Sequence, residues 1–365
     1  MSRSAFAILS TENLLHNLKV IKDNAPYSKV IAMVKANAYG HGLRSVSLRL
    51  QKYVDMLGVA SIDEALILRD IGIQIPIMLA EGVFEPSELL IASIKGFHVV
   101  FHEKIQLQWM KNLSCPSPIQ AWLKVDSGMG RLGFDINKAA IFYEQLSKNC
   151  QIEQPVRIMS HLACADEPAN PLNQQQIDSF NRFVQVISPK ASTEYSLCNS
   201  AAIFRFPASH YNFIRPGIGL YGASPLLNKS AAELNLKPVM TLKTSIISIK
   251  TLPKGSSIGY GARFTCPEKM LIGIIALGYG DGYPRTLRDS APILVNNSRC
   301  SLIGRVSMDT STVDLKACPN ARVGDLVTLW GTDLPIEEVA QFTTDNTSYD
   351  LLTGVQNRVK FHWTS

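Results

Sequence analysis

The sequence predicts an α/β fold, with an N-terminal (β/α)8 TIM-type barrel followed by a C-terminal domain that is mostly β. The chain has 365 residues, which is more than one ordinary hydrophobic core organises. Eight apolar runs alternate with helical patterns as far as about Pro225, and short apolar runs separated by Gly, Pro and Asn turns follow from about Leu236. We therefore assign 1–233 to the barrel and 234–365 to the β domain, and residues 1–10 are equally suited to pair with the β domain.

The first predicted strand is Val30–Val34, a run of small and branched apolar residues that is typical of a buried parallel strand. The other seven predicted strands are Met56–Ala60, Pro76–Ala80, Phe97–Phe101, Ile119–Val125, Pro155–Ser160, Glu194–Cys198 and Tyr211–Ile214. The helical patterns between them include Ile62–Ile71, Glu85–Lys95, Ile136–Lys148 and Leu172–Ile187. The first two of these helices are closed by a glycine. This alternation favours a closed parallel barrel.

The sequence pattern of the C-terminal part predicts a small β barrel or sandwich. Its predicted strands are Val239–Ile249, Met270–Leu277, Ala291–Val295, Ser301–Val306, Ser311–Leu315 and Leu326–Trp330. Only Ile336–Gln341 has a helical pattern there, and Asn228–Lys237 is the expected junction between the two domains.

Composition excludes several functional classes. The net charge of +6 is scattered along the chain, so no nucleic-acid partner is expected. No apolar stretch approaches the roughly 20 residues of a membrane helix, and the start of the chain lacks the features of a signal peptide, so no membrane partner is expected either. The seven cysteines form no CxxC pair, which predicts no metal site and favours a reducing, cytoplasmic location.

Polar side chains collect at one end of the predicted barrel. In such barrels the chemistry is carried by loops that follow the C-terminal ends of the strands. The residues that follow or end predicted strands in this way are Lys35, Lys124, Arg131, His161, Asn199, Ser200 and Arg215. Each has an ordinary structural interpretation when taken alone, such as a lysine reaching solvent or a histidine hydrogen-bonded in the core. Their common placement on one rim favours a functional site.

The chemistry of this rim indicates pyridoxal phosphate (PLP). Burial lowers the pKa of a lysine, and a neutral amine can condense with an aldehyde, so Lys35 is the candidate for a reactive lysine. The NSAA segment at Ser200 and the glycine-rich turn at Gly217 offer backbone N–H groups of the kind that bind phosphate. An amine beside a phosphate cradle in a barrel matches the needs of this cofactor.

Eight segments of the chain then resemble one known family. They are KANAYGHG, KVDSGMGRLG, SHLACADE, CNSAA, IRPGIGLYG, SIGYGARF, LGYGDGYPR and GRVSMD. In this order they are similar to the signature segments of bacterial alanine racemases, and the match runs from about Phe6 to Lys360. The resemblance implies a PLP-dependent isomerase that interconverts L-alanine and D-alanine, supplies D-alanine for peptidoglycan and works as a head-to-tail homodimer with shared active sites.

The resemblance also implies roles for residues around the cofactor. It places the cofactor aldimine on Lys35. The residues that match the phosphate-binding positions are Tyr39, Ser200, Gly217, Ile218 and Tyr349. Arg215 matches the arginine that faces the pyridine nitrogen, His161 matches its hydrogen-bonded neighbour, and Asn199 belongs to the same cofactor-binding set.

Other matches concern the substrate and the second subunit. Arg131 matches a residue that contacts the PLP phenolic oxygen and the substrate carboxylate, and Lys124 matches a lysine that is commonly carbamylated. Tyr260 matches the second catalytic base, and Met308 matches a backbone contact to substrate; both are expected from the other subunit. The residues that match the lining of the entrance are Tyr279, Asp281 and Arg285.

The physical chemistry suits these roles. Racemisation removes a proton from one face of Cα and returns one to the other, which two bases, Lys35 and Tyr260, can do directly. Arg215 can only donate hydrogen bonds, so it should keep the ring nitrogen unprotonated and limit side reactions. The sequence departs from the commonest pattern at Ser196, where some members have histidine, and at Thr347, where some have a larger apolar residue at the entrance.

Four hypotheses compete, the second of which, a related barrel PLP enzyme, has two forms: a broader racemase and a decarboxylase. An alanine racemase is favoured. A broader amino-acid racemase of the same fold, acting for example on serine, differs only in pocket width. A related decarboxylase should have an acidic group at the ring nitrogen, where this chain has Arg215. A barrel-only PLP carrier would need neither Tyr260 nor a β domain, and a metal-dependent hydrolase would need a cluster of ligands, of which His161 alone is present at the rim.

Overall fold

The computed structural model describes residues 4–187, 192–344 and 347–365. Its strands are β1 (Phe6–Ser10), β2 (Lys29–Met33), β3 (Met56–Val59), β4 (Ile77–Leu79), β5 (Phe97–Phe101), β6 (Ile119–Asp126), β7 (Phe134–Asp135), β8 (Ile152–Met159), β9 (Tyr195–Asn199), β10 (Phe213–Arg215), β11 (Met240–Leu252), β12 (Ser257–Ile258), β13 (Phe264–Thr265), β14 (Met270–Ile275), β15 (Pro292–Val295), β16 (Ser298–Ile303), β17 (Ser311–Asp314), β18 (Leu326–Trp330) and β19 (Lys360–Thr364). Its helices are α1 (Thr11–Asn24), α2 (Lys35–Tyr39), α3 (Leu43–Leu50), α4 (Ile62–Asp70), α5 (Pro86–Lys95), α6 (Lys104–Asn112), α7 (Ala139–Ser147), α8 (Leu172–Val186), α9 (Ser200–Arg205), α10 (Ile336–Ala340) and α11 (Ser348–Thr353).

The eight predicted strands of the barrel are confirmed. Parallel pairing runs in the order β5, β4, β3, β2, β10, β9, β8 and β6, and β5 also pairs with β6, so the sheet closes on itself. The inside of the barrel is filled by large apolar side chains, which makes it a packed core and not a channel. These side chains are Ile31, Met33, Met56, Met78, Val100, Trp122, Met159 and Phe213.

The C-terminal domain is a second, mostly antiparallel sheet. Its strands lie in the order β14, β17, β16, β15, β18, β11, β1 and β19, and β11 also pairs with β14. The thirteen-residue strand β11 therefore contacts β18, β14 and β1, and its register with β14 shifts between Ile246 and Ser248. The six predicted strands and the helix of this domain are all present, as β11, β14 to β18 and α10.

The two ends of the chain meet in this second sheet. Strand β1 pairs antiparallel with β11, with Phe6 opposite Lys243, and parallel with β19, with Phe6 opposite Lys360. Residues 6–10 therefore extend the C-terminal sheet although they begin the chain. Sequence analysis did not predict β19 or α11, because each is short and its pattern of buried and exposed residues is weak. None of the helices in the described ranges is both long and apolar enough to cross a membrane.

A buried histidine lies near the N-terminal end of β5, away from the polar rim. The indole Nε1 of Trp122 donates a hydrogen bond to Nδ1 of His98 at 3.2 Å, and the Arg157 guanidinium lies over the Trp122 ring at 5.8 Å. Burial, reinforced by the charge of Arg157, lowers the pKa of His98 from 6.5 to about 3. The folded protein therefore holds this ring neutral at pH values where an unfolded chain would protonate it.

This difference predicts a loss of stability in acid. As the pH falls from 6.5 towards 3, the unfolded chain takes up a proton that folded His98 refuses, so unfolding becomes easier. The informative variant is His98→Gln, which keeps an acceptor for the Trp122 indole. Between pH 7 and pH 5, we expect its free energy of unfolding to fall by about 1–3 kcal/mol less than that of the wild type, since one pKa unit corresponds to about 1.4 kcal/mol. Urea denaturation at the two pH values measures this, and equal losses in both proteins would contradict it.

Candidate active site

The backbone after β2 turns in a rare conformation. Ala36, Asn37, Ala38 and Tyr39 have φ angles of 51°, 53°, 54° and 50°, so this helical turn is left-handed. Such a turn costs residues with a side chain roughly 1–2 kcal/mol each. Local hydrogen bonds hold it, since Asn37 Oδ1 accepts from the backbone N–H of Leu43 at 2.8 Å and the Tyr39 carbonyl oxygen lies 2.8 Å from His41 Nδ1. Strain of this kind is retained where the surroundings fix it, commonly at functional sites.

The left-handed turn directs Lys35 into a cavity at the C-terminal end of the barrel. The cavity has a volume of about 250 Å³. The ten barrel-side residues predicted from the sequence line it, and so does Tyr349 from the C-terminal domain. The lining residues of this group are Lys35, Tyr39, Lys124, Arg131, His161, Asn199, Ser200, Arg215, Gly217, Ile218 and Tyr349. The barrel therefore brings these residues together, as the strand-end rule predicts.

Sequence analysis missed one charged residue of this cavity. Glu81 follows β4, and its Oε1 lies 3.1 Å from Lys35 Nζ. It is the carboxylate among the described residues that line the cavity. The signal was available, because Glu81 directly follows the predicted strand Pro76–Ala80 and the strand-end rule applies there too. Other lining residues are apolar: Met33, Ala80, Leu132 and Met159.

Arg215 is the most deeply buried cation of the site. Its guanidinium donates to the Ser196 hydroxyl, to the Ser160 carbonyl at 2.5 Å and to the Leu197 carbonyl at 3.3 Å. Burial lowers the pKa of Arg215 to about 10, so it remains a cation at neutral pH. The hydroxyl of Ser196, where some family members have histidine, thus serves as an acceptor for this group.

His161 is held neutral beside this arginine. Its Nδ1 lies 3.2 Å from Nη2 of Arg215. Burial, followed by the positive charges of Arg215, Arg131 and the nearby lysines, holds the pKa of His161 well below its usual value. Since a guanidinium only donates, Nδ1 of the neutral ring must be the acceptor and Nε2 carries the proton. The prediction of a hydrogen-bonded neighbour for Arg215 agrees with this contact.

A second group of contacts lies where the phosphate is predicted. The Ser200 hydroxyl accepts from the backbone N–H of Gly217 at 2.7 Å and lies 3.4 Å from that of Gly219. The Tyr39 ring stacks on Tyr221 at 4.9 Å and lies 6.2 Å from Tyr349. Burial raises the pKa of Tyr39 to about 12 and that of Tyr349 further still, so both phenols keep their protons and can donate.

Lys124 is buried in the same wall of the cavity. Burial, then the charges of Arg215 and Arg131, lowers the pKa of Lys124 from 10.5 to about 8. The neighbouring Asp126 does not neutralise it, because its two oxygens accept three backbone N–H groups of the following turn, from Gly128, Met129 and Gly130. Within the described ranges, no carboxylate lies in ion-pair distance of Lys124 Nζ.

The two residues predicted to act from a second subunit, Tyr260 and Met308, do not line this cavity, and neither do the residues predicted for the entrance. Tyr260, Met308 and Tyr279 are 67%, 53% and 38% exposed, and all three lie on the C-terminal domain. Arg285 is exposed as well. Asp281 differs from its neighbours, since its carboxylate is fully buried and binds Arg358. One chain therefore brings together the predicted site residues of the barrel. The predicted residues of its C-terminal domain that are exposed lie elsewhere on its surface: Tyr260, Met308, Tyr279 and Arg285.

Three features define a two-domain barrel enzyme with an amine in its active site. They are a lysine at the end of the first barrel strand, a buried arginine–histidine pair, and a β domain with exposed tyrosines. Comparison with known proteins agrees. The family model "Alanine racemase, N-terminal domain" matches residues 9–225, and "Alanine racemase, C-terminal domain" matches residues 239–363. This chain belongs to the alanine racemase family.

Similar proteins cover the whole chain. An alanine racemase of Legionella pneumophila (strain Lens) is 42% identical over 361 residues, which is 99% of this chain and 100% of that protein. One from Haemophilus influenzae is 44% identical over 357 residues, or 98% of each chain. The crystal structure of the biosynthetic alanine racemase from Pseudomonas aeruginosa superposes with a TM-score of 0.95 at 40% identity and covers 100% of both chains.

The contact between Tyr39 and Gly217 predicts a difference between two neighbouring glycines. A Cβ on Gly217 would lie 2.2 Å from the Tyr39 hydroxyl oxygen, whereas a Cβ on Gly219 would meet only ordinary contacts at 3.7–3.8 Å. Because stacking on Tyr221 restrains Tyr39, we expect Gly217→Ala to lower the free energy of unfolding by about 1–3 kcal/mol. Urea denaturation measures the effect, with Gly219→Ala as the matched control. Equal effects of the two variants would contradict the contact.

Proposed function

We propose that this protein is a PLP-dependent alanine racemase that interconverts L-alanine and D-alanine with Lys35 and Tyr260 as its two bases. The observation that carries the proposal is the Lys35 amine, which lines the same cavity as the buried Arg215 cation. The family membership of the whole chain supports the same activity. The D-alanine formed would supply peptidoglycan synthesis, and the seven free cysteines suit a cytoplasmic location.

The residues of the cavity fit the proposed cofactor chemically. An anionic phosphate suits a site with protonated phenols at Tyr39 and Tyr349, the Ser200 hydroxyl and the backbone N–H groups of Gly217 and Ile218. When bound, PLP supplies an electron sink that acidifies the substrate Cα–H bond. The positive charges of the wall would also attract the substrate carboxylate, and Arg131 is the residue we assign to it.

Arg215 would set the strength of that electron sink. It is a cation whose four neighbours are all acceptors, and it cannot itself accept a hydrogen bond. Arg215 would therefore hold the ring nitrogen of the bound cofactor as an acceptor without a proton. This favours proton exchange at Cα over reactions that need a stronger sink, and it argues against a decarboxylase, for which an acidic group would be expected.

The two bases must stand on opposite faces of the substrate. Lys35 Nζ is held at one side of the cavity by the left-handed turn and by the 3.1 Å contact with Glu81. Tyr260 is 67% exposed on the C-terminal domain and lies outside the cavity of its own chain. A head-to-tail homodimer, in which each chain presents Tyr260 to the cavity of the other, would supply the second base.

Heterodimers test the activity and the shared site together. Lys35→Ala and Tyr260→Phe should each reduce D/L exchange of alanine by at least about a thousandfold, because each removes one acid–base group. Lys35→Ala should also lose the visible absorbance of the bound cofactor. Mixed dimers of the two variants contain one intact site out of two, so we expect about half of the wild-type activity per dimer.

The matched control pairs Lys35→Ala with the double variant Lys35→Ala/Tyr260→Phe, since that heterodimer has no intact site. It should stay inactive. Two differently tagged chains allow the heterodimers to be purified before the assay. If purified Lys35→Ala and Tyr260→Phe heterodimers are as inactive as the control, the shared site is wrong. If the wild type itself exchanges no alanine when loaded with PLP, the activity is wrong.

We also propose that Lys124 is carbamylated. A pKa of about 8 leaves about a tenth of its amine uncharged at pH 7, and the uncharged amine is the form that attacks CO2. The amine nitrogen forms a bond to the CO2 carbon and releases a proton to solvent, which turns a buried cation into an anion. That anion would accept hydrogen bonds from Arg131 and remove the repulsion between the Lys124 ammonium and the Arg131 guanidinium.

Carbon-13 NMR with labelled CO2 tests this modification. At constant CO2 pressure, the carbamate signal should grow as the pH rises towards and past about 8, because deprotonation of Lys124 frees the reactive amine. Lys124→Ala should lack the signal, bind alanine more weakly and recover part of its activity with added small carboxylates or chloride. A wild type without a carbamate signal at pH 9 would rule out the modification.

A further inference from the structure

Three separate segments of the C-terminal domain meet beside the exposed side chains of Tyr279 and Met308. The turn that carries Tyr279 and the loop that carries Met308 are joined by backbone hydrogen bonds, from Tyr279 N–H to the Ser307 carbonyl at 3.0 Å and from Gly280 N–H to the Met308 carbonyl at 2.8 Å. The third segment precedes β19, and there the N–H of Gln356 donates to the Asp281 carbonyl at 3.1 Å.

Arg358 connects the three segments through its side chain. Its Nε donates to Asp281 Oδ1 at 2.8 Å, and its Nη2 donates to a carboxylate oxygen of Asp309. The Asp281 carboxylate is fully buried, and its other oxygen accepts from the N–H of Gly278 at 2.9 Å. A buried carboxylate needs a cation beside it, and Arg358 is that cation.

The guanidinium also packs directly on the Tyr279 turn. A Cβ on Gly280 would lie 2.9 Å from Arg358 Nη1 and 3.0 Å from the Met308 carbonyl oxygen. The turn, the loop and the guanidinium are thus in contact at one point, with no room for another atom. Tyr279 and Met308 project from this point, 38% and 53% exposed.

We propose that Arg358 is a positioning residue for the active site of the second subunit. By holding Asp281 and Asp309 at once, it fixes the Tyr279 turn against the Met308 loop, and these carry the side chains that one chain presents to the other. The inference rests on the proposed shared site. It also gives Asp281 a supporting role, since its buried carboxylate contacts Arg358 and not an entrance.

Simultaneous hydrogen bonds to Asp281 and Asp309 require an arginine at position 358. A guanidinium donates from Nε and Nη2 in fixed directions within one plane, so it holds two carboxylates at a set separation. A lysine would keep the charge but offers a single ammonium on a flexible stem. Arg358→Lys therefore preserves the cation and removes the geometry, which makes it the informative variant. Arg299→Lys is the matched control, because Arg299 binds Glu338 in the same domain, outside these loops.

Hydrogen exchange of the intact dimer tests the positioning itself. In Arg358→Lys we expect the amides of 278–282 and 307–310 to exchange at least about tenfold faster than in the wild type, because the bridge between the two loops is lost. Arg299→Lys should leave these amides unchanged. If the two segments exchange at the wild-type rate in Arg358→Lys, the proposal is overturned whatever the activity of the enzyme.

The heterodimers then test in which chain Arg358 acts. Arg358→Lys is placed either in the Lys35→Ala chain, which supplies Tyr260, or in the Tyr260→Phe chain, which supplies Lys35. We expect kcat/KM for alanine to fall about ten- to a hundredfold in the first arrangement and to stay within about twofold in the second, because misplaced contacting groups cost this much. Equal losses in both arrangements would show general destabilisation and overturn the trans role. An inactive parent heterodimer would instead refute the shared site, and the trans role with it.

Discussion

The structure depends on the burial of a guanidinium at the mouth of a barrel. Among the residues that the structure describes, Arg215 has no carboxylate partner; its charge is stabilised by the dipoles of the Ser160 and Leu197 carbonyls and by the Ser196 hydroxyl. Ser160 directly follows β8, and Ser196 and Leu197 lie in β9, which pairs with β8 so that Met159 is opposite Ser196; this register of two adjacent parallel strands places the acceptors around the cation. The barrel supplies that alignment.

This buried charge sets the protonation of its neighbours. His161 accepts from Arg215 and stays neutral, and the pKa of Lys124 is lowered by burial and then by the positive charges of Arg215 and Arg131. Glu81 adds one negative charge, placed at Lys35. The cavity is thus strongly positive and has few compensating groups of its own. Such a cavity suits anionic ligands, which would supply the missing negative charge.

Much of the fold follows from the sequence because burial leaves a simple pattern. Strands that are buried on both faces appear in the sequence as continuous apolar runs. The side chains that follow these runs lie on the same rim, at the C-terminal end of the barrel. The same rule extends to Glu81. It does not extend to β1 and β19, which are short strands with alternating exposure that pair across almost the whole length of the chain. No local pattern encodes a partner 354 residues away, as with Phe6 and Lys360.

The left-handed turn after β2 and the Arg358 bridge were beyond prediction for a related reason. Nothing in the composition of Ala36–Tyr39 favours positive φ, apart from Asn37, and the conformation is imposed by hydrogen bonds to Leu43 and His41 that only the folded chain provides. Arg358 lies 77 residues from Asp281 and 49 from Asp309. Patterns within one element cannot reveal either arrangement, because each depends on contacts between elements.

The left-handed turn that carries Lys35 and the Arg358 bridge serve the same purpose at different places in the structure. Lys35 projects into the cavity at the mouth of the barrel, where its contact with Glu81 helps to fix it, and the strain of its turn is balanced by the barrel around it. Tyr279 and Met308 project from an exposed surface, where no surrounding core restrains them. A side chain that must be held accurately on a surface needs stabilising contacts within its own loops. An arginine that binds a buried carboxylate and a second carboxylate at once provides such contacts. The strained turn on one face and the Arg358 bridge on the other are therefore two solutions to the same requirement, set by how much of the protein surrounds each group.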